Sequence, residues 1–187
     1  MLGHHAAEAD DRQVAASAFL SADALLADAD PESLRMPAHE VAEIRGRAAL
    51  YTGDHTRAIT RLRDQLARLP ASDEWWQQLR RAELSLLLGL HLDSTRDHAA
   101  AREALTHAVT DFERASSEAP DTLHRQRLAL ARAALAAHLL RAPDAADRDH
   151  AAALLAAAER WYRGAGPGYA WRMRELAALR RRLAATP

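Results

Sequence analysis

The feature that most constrains this 187-residue chain is an internal period of 43 residues. It separates Asp11, Asp54 and Asp97, then Ala15, Ala58 and Ala101, then Phe19, Leu62 and Leu105, then Leu26, Leu69 and Phe112. Each Asp stands where a helix N-cap is expected, and the apolar residues four and eight positions beyond it fall on one helical face. Upstream, Gly46 and Gly89, Val41 and Leu84, Ala49 and Leu92, and Glu40 and Glu83 keep the same spacing, so the register runs through two helices per unit. Self-similarity at such a length marks supersecondary units that bury their apolar faces against one another.

A fourth unit is more diverged. The string Arg96-Asp97-His98-Ala99-Ala100-Ala101 recurs as Arg148-Asp149-His150-Ala151-Ala152-Ala153, 52 residues later, with the extra length expected in a loop at Pro143 and Asp144. Abundant Ala, Leu and Arg with few Val and Ile favour helix over strand, and no segment alternates with period two. The pattern predicts helices over 8–29, 37–52, 54–69, 73–93, 97–117, 121–141, 148–163 and 168–184. Stop signals separate them at Asp30-Pro31, Gly53-Asp54, Pro70 to Asp73, Ala119-Pro120-Asp121 and Gly164 through Gly168.

The stretch Gly46, Ala49, Gly53-Asp54, Ala58, Leu62 and Pro70 resembles one tetratricopeptide repeat, and Gly89, Leu92, Ala101, Leu105 and Ala108 repeat its pattern. Ala15, Phe19 and Ala22 match only the second helix of a unit. The period is longer than the family's usual one, Gln65 replaces an expected small residue, and Ala42 and Ser85 stand where a bulky aromatic is common. The resemblance implies an all-α fold, a right-handed α-solenoid of antiparallel helical hairpins with a C-terminal capping helix. Residues 1–187 would form one domain: a half-repeat at 10–30, repeats at about 37–70, 73–117 and 121–163, and a cap at 168–184.

The sequence lacks Cys, Lys and Asn; all 25 basic residues are Arg. Thiol chemistry, phosphate-loop and Schiff-base lysines and N-glycosylation acceptors are thereby excluded. The Arg- and Ala-rich, Lys-free bias also matches a bacterial-like GC-rich genome. A net charge of −1 provides no overall field toward nucleic acid or membrane. With no secretory signal and no long apolar run, the expected localisation is cytoplasmic.

Among the ten His, His4-His5 lack supporting ligands, His55, His98 and His150 each follow an expected helix cap, and His91, His124 and His138 form no zinc-type motif. Solvated or capping roles are expected, with no metal site. Gly164, Gly166 and Gly168 follow a helix rather than a strand, and with Pro167 read as an interhelical turn. Glu40 and Glu43 share a helical face but lack the apolar surroundings of an acid–base pair. No catalytic residue and no cofactor is expected. Trp75, Trp76, Trp161 and Trp171, near helix ends, are expected to anchor the packing. Charge is asymmetric: residues 1–36 carry seven acids against two Arg, and residues 121–187 twelve Arg against six acids, with Arg180-Arg181-Arg182 the densest cluster. That cluster suits the C-terminal end of a helix dipole.

What the resemblance implies is a non-enzymatic interaction module or scaffold, holding a peptide or partner helix in a concave groove lined by the first helix of each unit. Matching positions are Glu40, Glu43, Arg47, Leu50 and Tyr51, then Glu83, Leu86, Leu90 and Asp93, with Arg125 and Arg132 at the far end. This mixture of acidic and apolar groups suits a basic or amphipathic segment. The alternative is a sensor or regulatory domain of a larger signalling protein such as a kinase, protease or transcription regulator; a small-molecule-binding enzyme or nucleic-acid binder fits less well. The stripe of Ala15, Phe19 and Ala22 lacks the first helix of its unit. A second copy, the rest of a larger chain, or packing back onto residues 37–52 would cover it, and the first two are the expectation.

Overall fold

A computed structural model describes residues 12–28, 36–70, 72–118, 121–141 and 145–185. Those residues form α1 (Arg12–Asp28), α2 (Ala38–Thr52), α3 (His55–Arg68), α4 (Trp75–Ser94), α5 (His98–Glu118), α6 (Thr122–Leu139), α7 (Ala145–Ala165) and α8 (Ala170–Ala185), with one 3-10 turn at Pro167–Tyr169. There is no strand among them, and none of these helices is long and apolar enough to cross a membrane. Wherever the residues are described, the helix ends fall within three positions of those expected from the pattern.

Local chemistry sets these ends. Gly53 closes α2 in the left-handed conformation at φ 78°, its N–H donating to Ala49 O, and the backbone reverses into α3. The residue one period later is Arg96, which adopts the same conformation at φ 64° although it carries a Cβ. The turn holds it there: Arg96 N–H donates to Asp93 O, and Asp97 N–H to Leu92 O. Asp97 caps α5 by accepting from Ala100 N–H at 3.4 Å, and Asp121 caps α6 by accepting from Leu123 N–H at 2.6 Å. Asp54 makes no such bond, so its matching position is not matched by a capping role. Asp11 lies outside the described residues.

One packing contact recurs at the sequence period. Gly46 faces Leu62 and Gly89 faces Leu105, so the same contact recurs one period on. A Cβ on Gly89 would stand 2.6 Å from Leu105 Cγ and 3.2 Å from its backbone N, whereas one on Gly46 would meet side-chain ends alone, Leu87 at 3.3 Å and Leu62 at 3.5 Å. The triplets Ala15/Phe19/Leu26 and Ala101/Leu105/Phe112 are buried, as are Ala58 and Leu62.

The fourth unit corrects the expected alignment. Its buried stripe is Ala151, Leu155 and Tyr162, which follows Ala101, Leu105 and Phe112 by 50 residues rather than 52. The helix opens at Ala145, so Arg148-Asp149-His150 lie inside it and His150 follows no cap. The acid equivalent to Asp97 is Asp147, buried and held by Arg102 of α5 at 3.0 Å.

Each helix packs on the next in sequence, and α2 also packs on α4, α4 on α6, and α6 on α8. Two core clusters result: one joins α2, α3, α4 and α5, the other α4 through α8, so the α4–α5 hairpin belongs to both. At the N-terminal end the chain supplies the third of the covers named above, packing back onto residues 37–52. Helix α1 packs on α2, Phe19 is 4% exposed, Arg45 pairs with Asp23 at 3.3 Å, and Arg45 Nη2 donates to Leu26 O. At the other end Leu176 is buried, with Tyr169, Met173 and Leu183 against the core. Arg180 chelates Glu159 of α7 and Arg182 donates to Leu140 O, so two of the three clustered arginines fasten α8 to its neighbours. Trp171 is buried, but Trp75 and Trp76 are 36% and 38% exposed and are not core anchors. Trp75 leans on His124, and Arg80 lies over Trp76.

Chemical denaturation tests the crossings. Gly89→Ala should lose about 2 kcal/mol, because neither Leu105 Cγ nor its backbone can retreat freely. Gly46→Ala should stay within about 1 kcal/mol of wild type, since a pliant Leu87 and alanine's better helix propensity offset each other. Equal losses would place the tight approach elsewhere.

Candidate interaction face and its buried polar groups

Helices α2, α4 and α6 carry all the residues expected to line a groove, and their positions divide them sharply. Glu40 is exposed. Tyr51 is 39% exposed, with its ring stacked on Phe19 at 6.3 Å. Leu50 and Leu90 are half-buried against the two cores. Leu86 is 2% exposed, a core residue with no surface to offer a partner. Arg125 is exposed on α6, and Arg132 turns to Glu113 of α5 at 2.9 Å. Neither arginine joins the remaining groups.

Those that do meet are Glu43, Arg47 and Glu83. Arg47 donates from Nε to Glu43 at 2.9 Å and from Nη2 to Glu83 at 3.1 Å, while its guanidinium lies over Phe19. On the far side Arg127 of α6 stands 3.3 Å from the other Glu83 oxygen. Glu83 is therefore clasped between guanidiniums from two different helices. Burial pushes its carboxyl above the usual carboxylate range, against the opposing pull of Arg127 and Arg47. Breaking one partner of such a set leaves a charge uncompensated in a poorly solvated place. Sequence reading missed Arg127 and its neighbour His124. The available signal was an arginine standing in the buried stripe of Leu128, Ala131 and Leu135.

Farther along α4, His91 is fully buried, not solvated. Its Nε2 lies 3.0 Å from Gly46 O, and a carbonyl only accepts, so Nε2 carries the proton. Its Nδ1 must then accept from His55 Nδ1–H, 2.9 Å away. The pair ties α4 to α2 and α3, and burial lowers the His91 pKa to about 4.

Two residues on, Asp93 accepts from His138 Nδ1–H at 2.9 Å, and its second oxygen is held by Arg141. His98, first residue of α5, faces His138 with ring centroids 5.8 Å apart. His138 and His124 are buried, against the expectation of solvated rings, while His98 and His150 are exposed. Beside this group lies a cleft of about 430 Å³, lined by His98, Arg102, His138, Arg141 and Asp147 among others.

These features define a class: an all-helical protein of packed hairpins whose central helix carries its polar side chains inward. No protein-family model matches the chain, and comparison with curated proteins and with solved structures likewise finds no match.

Acid should weaken the fold through His91. Its pKa of about 4 when folded lies below its ordinary value of 6.5, so as pH falls from 6.5 toward 4 the unfolded chain takes up a proton that the folded chain refuses. The stability present above pH 6.5 should decline over that window by about 3 kcal/mol from this residue. His91→Gln, which keeps a donor for Gly46 O, should flatten this part of the stability–pH curve. An unchanged slope would remove His91 as its source.

Proposed function

We propose that this chain is a non-enzymatic protein-interaction module, a tetratricopeptide-like, right-handed α-solenoid that holds a partner segment along the row α2, α4 and α6. The observation carrying this reading is the contact pattern, in which first helices pack on one another in succession as well as on their own mates. Stacking of that kind makes an extended face from residues far apart in sequence. The side chains narrow the partner's chemistry. Glu43, Glu83 and Asp93 already have cationic partners within the chain, so the surface available for contact is chiefly Tyr51, the half-buried Leu50 and Leu90, and the exposed carboxylate of Glu40. An amphipathic segment, apolar on one side with a basic residue near Glu40, suits it better than a uniformly basic one.

Site-specific photo-crosslinking in the native cell tests this. A photoreactive side chain at Tyr51 should trap a discrete partner, while the same group at Thr106, exposed on the second helix α5, should not. Tyr51→Glu should weaken the recovered complex by about tenfold or more, equivalent to about 1.4 kcal/mol, without shifting the melting temperature. Equal trapping from both positions, or undiminished binding by Tyr51→Glu, would refute the proposed face.

A further inference from the structure

We infer that Asp93, His98 and His138 form a binding site for a divalent transition-metal ion of the zinc class. One donor atom from each residue lies within 4.8 Å of the others. In a tetrahedral site with bonds of about 2.0–2.1 Å the donors stand about 3.4 Å apart, so only a small inward movement separates this arrangement from coordination. Asp93 and His138 are already in contact at 2.9 Å, and the third residue, His98, is the exposed one that is free to close.

The donors sit on well-held backbone. Asp93 lies in the last turn of α4 and His98 at the first position of α5, and the turn between them is fastened by Thr95 N–H to His91 O, Arg96 N–H to Asp93 O, and Asp97 N–H to Leu92 O. His138 comes from the last turn of α6. The site thus joins three helices, and the ion's ordering cost falls mostly on one side chain. Arg141 fixes the carboxylate by its other oxygen, leaving Oδ1 turned to the histidines. Arg141 is a nearby cation, but Asp147 adds a second carboxylate to the cleft, and the two arginines Arg102 and Arg141 are balanced by the two acids.

Two imidazoles and one carboxylate select among metals. Magnesium and calcium call for oxygen-rich cages, whereas zinc, cobalt and nickel accept imidazole readily. A cation bound through His138 Nδ1 replaces that nitrogen's hydrogen bond to Asp93, and the ring then carries its proton on Nε2. Three protein donors leave further coordination positions for water or a ligand in the adjoining cleft of about 430 Å³.

The test uses the full chain stripped with chelator, then titrated with Co²⁺ followed by absorption and with Zn²⁺ by calorimetry. One ion per chain should bind with a dissociation constant of about 10 µM or tighter. His98→Ala should weaken binding by at least about tenfold while leaving the metal-free melting temperature unchanged, because that ring is exposed. Asp93→Asn and His138→Gln should weaken it as well, and His150→Ala should not. Because His138 is buried and its variant is liable to misfold, His98→Ala decides the matter. Binding no tighter than about 100 µM, or wild-type affinity in His98→Ala, would overturn the assignment.

Discussion

The close approach of α4 and α5 at Gly89 is the constraint on which the rest depends. With Leu105 where a Cβ would otherwise be, the two backbones come near enough that only small residues fit between them. Ala82 on α4 and Ala101, Ala104 and Ala108 on α5 are accordingly buried. This hairpin belongs to both core clusters, so the whole chain is arranged about it. Its alanine-rich composition thus reflects the spacing of helices as well as their propensity.

A central helix covered on nearly every side must satisfy its polar groups within the protein. Helix α4 does much of this at successive levels, although the side-chain oxygens of Gln77 and Gln78 are buried without a partner. Gln78 donates to Asp73 O before the first turn, Glu83 takes guanidiniums from α2 and α6, His91 bonds α2 and α3, and Asp93 engages α6 and the segment beyond it. What distinguishes this molecule chemically is therefore a column of side chains along one helix, each directed to particular neighbours.

Much of the fold was legible because buried stripes and stop signals are local. Period, helix limits and the two crossing glycines could be read from neighbouring residues. The fourth unit was misaligned by two positions because Arg148-Asp149-His150 copies the surface spelling of an earlier turn, while packing follows Ala151, Leu155 and Tyr162. Arg96 gave no sign of a left-handed turn, because its side chain disfavours one and long-range packing overrides that preference. Of the expected groove, Glu43, Arg47 and Glu83 do come together. Leu86 was drawn into the core because α4 is enclosed on the side its helical phase left open. The buried histidines escaped notice for a related reason. His91 meets Gly46, and Asp93 meets His138, across 45 residues of sequence, a separation at which no spacing rule speaks.

The clasp on Glu83 bears on how such an array comes apart. A linear stack of hairpins ordinarily frays from its ends, each unit leaving with little effect on those beyond its neighbour. Here one carboxylate is shared by α2 on one side and α6 on the other. If the N-terminal helices peel away, Glu83 loses the guanidinium of Arg47, and if α6 departs it loses that of Arg127, so either step breaks a charged set shared by both sides. Partly unfolded forms are therefore disfavoured relative to both the intact and the fully open chain. The clasp works against piecemeal unfolding from either side.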